Sequence, residues 1–335
     1  MTATHPTATA TATAGAGRWT LWRFVLRRLL SGALVLLAVS AIVFAATGAA
    51  AGDAASVSLG GEADPAAIAA RRAELGLDRP ALVRYGGWLL GVLHGDLGRS
   101  YVSGTPVADL LCARAGNSLV LAGVTVALLV PVSLGLGVWA GLRAGGLADR
   151  VVALVTLSLV SLPEFVTGTV LVLLLAVELD WLPAVSVLGP GQQLADRPQI
   201  LVLPVVTLLV ACVAHNARLV RAGVVAVSAG DAVATARLNG VPEHRVVLRY
   251  VLPAAIPPVI PLLARYLSLL VGGALVAETL FGYPGLASML VQASAGRDVP
   301  TVQAAALTVA AVTVLVNLLG DLLGVLVDPL RRMPQ

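Results

Sequence analysis

Asp231-Ala-Val-Ala-Thr-Ala-Arg-Leu-Asn-Gly240-Val-Pro-Glu-His-Arg-Val-Val-Leu-Arg-Tyr-Val-Leu-Pro253 is a polar, arginine-bearing segment between two long apolar runs. A chain needs no such segment merely to cross a bilayer. With Arg221, the residues Arg237, Arg245 and Arg249 make it a basic surface, and basic loops favour the cytoplasmic side of a membrane. Ala234, Ala236 and Leu238 predict a short helix with a small, mostly apolar surface. Gly240 is placed to end that helix, because glycine enters a left-handed turn without steric cost. Pro242 prevents the helix from simply continuing.

The surrounding composition fixes the solvent. The 335 residues are 58% hydrophobic and 12% charged, with a mean hydropathy of +0.92. A soluble domain carries about 25% charged residues, so a soluble reading does not compete. A hydrocarbon core of about 30 Å takes about 20 apolar residues in a helix. Six runs qualify, near 25–47, 118–142, 150–178, 200–220, 257–281 and 302–327. The expected fold class is therefore an all-α polytopic membrane protein with six transmembrane helices. The inner segments carry Arg18, Arg23, Arg27 and Arg28, then Arg143 and Arg150, then the basic segment above, then Arg331 and Arg332. The outer arginines fall mostly in one long loop, which counts little in the charge bias, and acids accompany them. Both termini are thus expected in the cytoplasm. There is no Lys, and the formal charge of +4 is too small to suggest nucleic acid. It suits arginine anchors facing anionic lipid headgroups.

Four stretches organise the chain: a Thr/Ala/Gly tail at 1–17, expected to be disordered; a basic lead-in and first span at 18–48; an extracytoplasmic loop at 49–116; and a membrane core at 117–332 holding the segment 223–256. The first apolar run has no clear cleavage site and reads as a retained span. In the outer loop, Asp64-Pro65 starts a helix that Gly76 ends. A second helix runs from Arg79 or Pro80 to Leu93, with Leu82, Tyr85, Trp88, Leu89 and Val92 on one face. That face either lies on the bilayer interface or packs on the outer ends of the spans. Cys112 and Cys212 read as unpaired small hydrophobes. The four His are scattered with no metal-site spacing.

Ala234-Thr-Ala236, then Gly240, then Leu252-Pro253 resembles the EAA loop of ABC importer permeases. An ordered set of further segments resembles the dipeptide/oligopeptide/nickel permease family, in particular its B-type subunit. The set begins with Leu26-Arg-Arg-Leu-Leu30, Leu75-Gly-Leu-Asp-Arg-Pro80, Gly95-Asp-Leu-Gly-Arg-Ser-Tyr101 and Pro106-Val-Ala-Asp-Leu110. Trp181-Leu-Pro183, Ala217-Arg-Leu-Val-Arg221, Glu278-Thr-Leu-Phe-Gly-Tyr-Pro-Gly285, Arg297-Asp298 and the run from Asn317 to Asp328-Pro329 follow in order. The resemblance implies the type I ABC importer permease fold, with a helical extracytoplasmic loop after the first span. It implies that Asp231, Ala234, Thr235, Ala236, Arg237, Gly240, Val241, Pro242 and Arg245 form a coupling helix and turn that dock on a cytoplasmic ATPase. It implies as partners a homologous second permease, two ATP-binding cassette subunits and an extracytoplasmic solute-binding protein, in a bacterial cell membrane. No cofactor is expected on this chain itself; ATP and Mg belong to the partner ATPases.

Charges inside apolar runs mark the candidate pathway. Glu164 follows Pro163, and a carboxylate at the bilayer centre costs about 2.5–3.5 kcal/mol on insertion scales. It either lines the pathway or satisfies a buried donor at a helix break. Arg265 either pairs with it or snorkels to the cytoplasmic side. Glu278, Phe281, Tyr283 and Pro284 sit at the outer end of the fifth run, where the resembling family has its outer gate; the alternative is a helix-end turn with Glu278 exposed or capped. Asn317 and Asp321 suit hydrogen bonds to neighbouring helices, and Gly135, Gly137 and Gly141 suit close helix contact.

The leading function is a permease subunit moving peptides or related solutes. The alternatives are a permease for chelated nickel or another solute, and an ion-coupled secondary transporter, which would show inverted repeats and several buried ionisable groups. No GxxxxGK[ST] phosphate loop occurs, and no catalytic constellation supports a membrane enzyme. No catalytic residue and no metal ligand is expected.

Overall fold

The computed structural model describes residues 13–50, 59, 64–74, 76, 78–189, 192, 194–257 and 274–327. Helices dominate. The first, α1 (Thr13–Ala50), begins inside the stretch expected to be a disordered tail, so residues 13–17 form its opening turns. Thr and Ala there extend the helix that the apolar run starts. Two short helices follow on the outer loop, α2 (Pro65–Glu74) and α3 (Ala81–Leu93). Pro80 sits just before α3 with φ −52° and ψ 139°, a conformation that the ring-fixed φ of proline suits. The expected face of α3 packs on the end of α1 and does not lie free. Tyr85 meets the Phe44 ring edge-on at 5.3 Å, and its hydroxyl shares a 2.8 Å hydrogen bond with Ser40. Leu82 departs from that face and is exposed.

The next helix, α4 (Val107–Leu142), begins nine residues before the expected loop boundary at 116. Val107 and Leu111 are buried there with Leu286, Met289, Ala304 and Ala305, so packing carries the helix beyond the purely apolar run. The run at 150–178 is not one continuous helix. It forms α5 (Leu147–Ser161) and α6 (Glu164–Val172), the latter prolonged by a wide π turn to Glu178. The two halves meet at 103°. Leu162 is forced into extended backbone by the following proline, with φ −87° and ψ 131°. Glu164 therefore stands in the first turn of α6, where the helix dipole favours a negative charge. That position, rather than mid-helix, is the physical reason a carboxylate sits in this run.

A 3-10 turn (Pro198–Leu201) leads into α7 (Val202–Ser228). Residues 223–228, expected in the polar loop, continue this helix. Beyond it lie α8 (Asp231–Leu238), α9 (Glu243–Val246), a π turn, and α10 (Leu252–Ala255). Of the fifth apolar run, 274–280 is helical, while most of it, Arg265 included, lies outside the described residues. The chain ends its described part in α11 (Leu286–Ala295) and α12 (Val299–Val327). Among the described residues, four helices are long and apolar enough to cross a membrane, or five if the bent α5–α6 pair counts as one span.

The scaffold is the α4–α7 pair. A Cβ on Gly137 would lie 2.5 Å from Val220 Cβ, and one on Gly141 would lie 2.8 Å from Val224 Cβ. Small residues four apart let two backbones approach in this way. Gly135, expected to share that role, has open space beside it. Around this pair lies a central cluster of Leu121, Leu129, Leu203, Leu208, Phe281 and Tyr283. The first and last spans pack together at the periphery. Arg28 Nε lies 3.0 Å from Asp321 Oδ2, and Gln303 donates to Thr47 Oγ1 at 2.8 Å. Asp321 thus supplies the interhelical contact expected of it.

Candidate functional site

The short helix α8 is set by its two ends. Gly230, with extended backbone, precedes Asp231, whose carboxylate stands in the first turn and favours the helix dipole. At the other end Gly240 takes φ 73°. Its N–H bonds to the Arg237 carbonyl at 3.0 Å, and the Val241 N–H reaches back to the Ala236 carbonyl at 3.1 Å. This is the Schellman pair of bonds, in which a left-handed residue lets two otherwise unpaired carbonyls be satisfied. Val241 closes the motif by packing on the cluster that holds Ala236.

That geometry divides the sequence-predicted residues. Val233 and Ala236 face inward and are buried with Val220, Val224, Val246 and Val251. Ala236, read from sequence as part of the outer surface, instead anchors the helix to α7, and the half-buried Val241 joins it. Asp231, Ala234, Thr235 and Leu238 are exposed, spaced so as to share one face. Leu238 is 87% exposed, the highest value among the large hydrophobic side chains described. Arg237 reaches across the turn to Glu243, with contacts of 2.6 and 3.1 Å. This guanidinium holds the Glu243 carboxyl below its ordinary value. Pro242 and Arg245 are exposed beyond the turn.

Two polar contacts brace this surface, and sequence reasoning missed their pairing. Arg221 on α7 bonds both carboxylate oxygens of Asp149 at the start of α5. Asp149 also accepts from the Gly145 N–H at 2.8 Å. The α4–α5 turn is thereby fixed to the helix that carries the exposed segment. Arg221 was legible as a basic residue, but nothing in the spacing named Asp149, 72 positions away.

At the opposite end, Glu278 is fully buried and is neither exposed nor free. It accepts from Ser118 Oγ at 2.5 Å, from the Ala287 N–H at 2.7 Å and from the Ser288 N–H at 3.0 Å. The last two are unpaired donors at the start of α11. A Cβ on Gly285 would collide with the Glu278 carboxyl at 2.1 Å, so only glycine fits beneath it. The Tyr283 hydroxyl donates to the Asn117 carbonyl at 2.7 Å, and the Asn117 amide donates to the Pro284 carbonyl at 2.8 Å. Phe281 and Tyr283 are fully buried, while Thr279 and Leu280 are exposed. The segment 278–288 is thus a clasp on α4. Asn117 and Ser118, polar at the start of an apolar run, were the overlooked signal.

A second tie joins two motifs quoted from sequence. Asp298 accepts from Ser100 Oγ at 2.5 Å, from the Tyr101 N–H at 2.9 Å and from Thr301 Oγ1 at 2.7 Å. It sews the 95–101 loop to the start of α12. Glu164 is half-buried at the α5–α6 break.

These features define a membrane permease subunit, and the comparisons agree. The chain belongs to the family described as binding-protein-dependent transport system inner membrane component, matched over residues 133–333. A second family model, for the N-terminal part of the membrane component of binding-protein-dependent transport systems, matches residues 21–122. A probable peptide ABC transporter permease protein of Sinorhizobium fredii is 34% identical over 309 residues, covering 92% of this chain and 99% of the relative. Glutathione transport system permease proteins of Pectobacterium atrosepticum and Escherichia coli are each 35% identical over 309 residues, covering 92% of this chain and 98% of the relative. The protein is accordingly a multi-pass permease subunit of an ABC importer with the type I permease fold.

Proposed function

We propose that this subunit passes peptides or peptide-like solutes, delivered by an extracytoplasmic binding protein, through a cavity shared with a homologous second permease. Both termini lie in the cytoplasm, and two ATP-binding cassette subunits dock on the exposed face of α8. The observation that carries this reading is the presentation of Leu238. An apolar side chain is held almost fully in solvent by a turn that the Gly240 and Val241 backbone bonds close, beside Ala234 and Thr235, which are small enough for close approach. Such a knob suits a groove on a partner. The names of the relatives support the solute class, one being a peptide permease and others glutathione permeases.

The outer clasp is the proposed gate element of this half. Glu278, Phe281, Tyr283 and Pro284 hold its shape, and Thr279 and Leu280 form its exposed side. Glu164 is the proposed polar point on the pathway, with its carboxylate suited to a peptide amine. The test is the assembled complex in lipid, with ATP hydrolysis measured with and without loaded binding protein. Leu238→Asp is expected to abolish stimulation by the binding protein and to release the ATPases from the membrane. Full stimulation in that variant would overturn the docking assignment.

A further inference from the structure

A cavity of about 520 Å³ lies at the outer-loop end of the first span. Its walls are the end of α1, the α2 and α3 helices, the 95–101 loop and the first turn of α12. Arg79 and Arg84 line it with Arg72, and Asp96 is the one acid among the described residues that do so. Asp96 already accepts the Gly98 N–H at 2.9 Å. Among the described residues Arg79 and Arg84 outnumber Asp96 in the lining, and Phe44 and Trp88 make part of the wall aromatic. Arg84 stacks over the Phe44 ring at 5.9 Å, and Trp88 stands beside it at 6.0 Å from Phe44.

Two donors in this wall are unpaid. Arg84 Nε and Trp88 Nε1 are both buried without a hydrogen-bond partner among the described residues. A buried donor left without an acceptor is destabilising, and a buried indole N–H usually finds an acceptor. Neither group serves the α8 surface or the outer clasp. Their shared need is an acceptor carrying negative charge, and a guanidinium matches phosphate oxygens geometrically. The position narrows the source. Along α1, Leu34, Val35, Leu37 and Ile42 are exposed and apolar, as a lipid-facing span requires. The cavity opens where that surface ends, and aromatic residues mark that level in membrane proteins.

We propose that this cavity holds the phosphate headgroup of an anionic phospholipid of the outer leaflet, with Arg84 and Trp88 donating to it and Arg79 at its rim. The leaflet rests on the topology proposed above; the site itself does not. A lipid seated there would brace the outer loop, α1 and α12 together.

The test is native mass spectrometry of the delipidated complex, titrated with phosphatidylglycerol and, separately, phosphatidylcholine. We expect one tightly held phosphatidylglycerol per copy of this chain, retained at least fivefold more strongly than phosphatidylcholine. The double variant Arg84→Gln, Trp88→Phe should lose that preference. Arg79→Gln, at an exposed position, should weaken it with unchanged thermal unfolding in phosphatidylcholine. Equal retention of the two lipids, or a preference that survives all three substitutions, would overturn the site. Displacement by inorganic phosphate at equal concentration would make it a free-anion site and reject the headgroup. Displacement by the binding protein would assign it to a protein partner instead. The readout needs neither ATP nor solute, so a failure of the transport reading would leave this result standing.

Discussion

At Gly240 the backbone runs at φ 73°, and a Cβ there would meet nothing within 4 Å. The demand on this residue is therefore conformational and not spatial. Gly240→Val places a β-branched residue where it is a genuine outlier; coupled transport is expected to fall at least tenfold. Gly240→Asn, which tolerates the left-handed region, should retain most of it. Uptake assays on both variants separate backbone strain from loss of a contact. Tyr283 makes the opposite demand. Tyr283→Phe removes only the hydroxyl bond to Asn117 and should cost about 1 kcal/mol in thermal unfolding of the complex. Tyr283→Ala empties a fully buried site and should cost about 3–5 kcal/mol. Sequence reading saw both residues but not this contrast. A glycine after a periodic run announces a helix end, whereas the burial of Tyr283 depends on α4, whose contact with it is set by tertiary packing.

At the scale of elements, the α8 turn carries an exposed ion pair whose pH dependence has a definite sign. Glu243 is lowered from its ordinary 4.5 chiefly by its bonds to Arg237. A depressed carboxyl contributes stability that is fully present above 4.5 and is lost as pH falls through the lowered value. Hydrogen exchange at the Asn239 to Arg245 amides should therefore be flat above that point and faster below it, after correction for intrinsic rate. Glu243→Gln should remove the dependence. Both side chains are exposed, so the effect is local. The α4–α7 contact is a stronger constraint: Gly137→Val drives side-chain atoms into Val220 and the Ala217 carbonyl and should destabilise by about 1–3 kcal/mol or more. This contact was legible in the sequence, because Gly137 and Gly141 are four apart in an apolar helix. The bend at Leu162-Pro163 was only half legible. Proline marked the place, but the chain is predominantly apolar on both sides of it, so length alone suggested one span.

For the whole molecule, the proposed topology places positions 10 and 333 in the cytoplasm and position 64 outside. With Cys112 and Cys212 replaced, single cysteines at Ala10 and Met333 should label only after the membrane is permeabilised. One at Asp64 should label in intact cells. Outside labelling of either terminal position would invert the assignment. The class of protein was readable from the ordered motifs, since they span the chain and each has a physical job. The Asp298 tie joined motifs that sequence could quote but not connect, and the Glu278 clasp reached Asn117 and Ser118, which no quoted motif held, because bonds across more than a hundred residues leave no periodic trace.

The packing of α1 on α12 also sets an order in time. About 270 residues separate the ends of these two spans, and at about 5–20 residues per second their synthesis takes roughly 14–54 s. Through that interval the first span sits in the bilayer without its neighbour, and Arg28 waits for a counter-charge not yet made. A nascent chain stopped before Val299 should thus present an orphan first helix to membrane quality control, and a chain extended through Asp321 should be the first length to escape it.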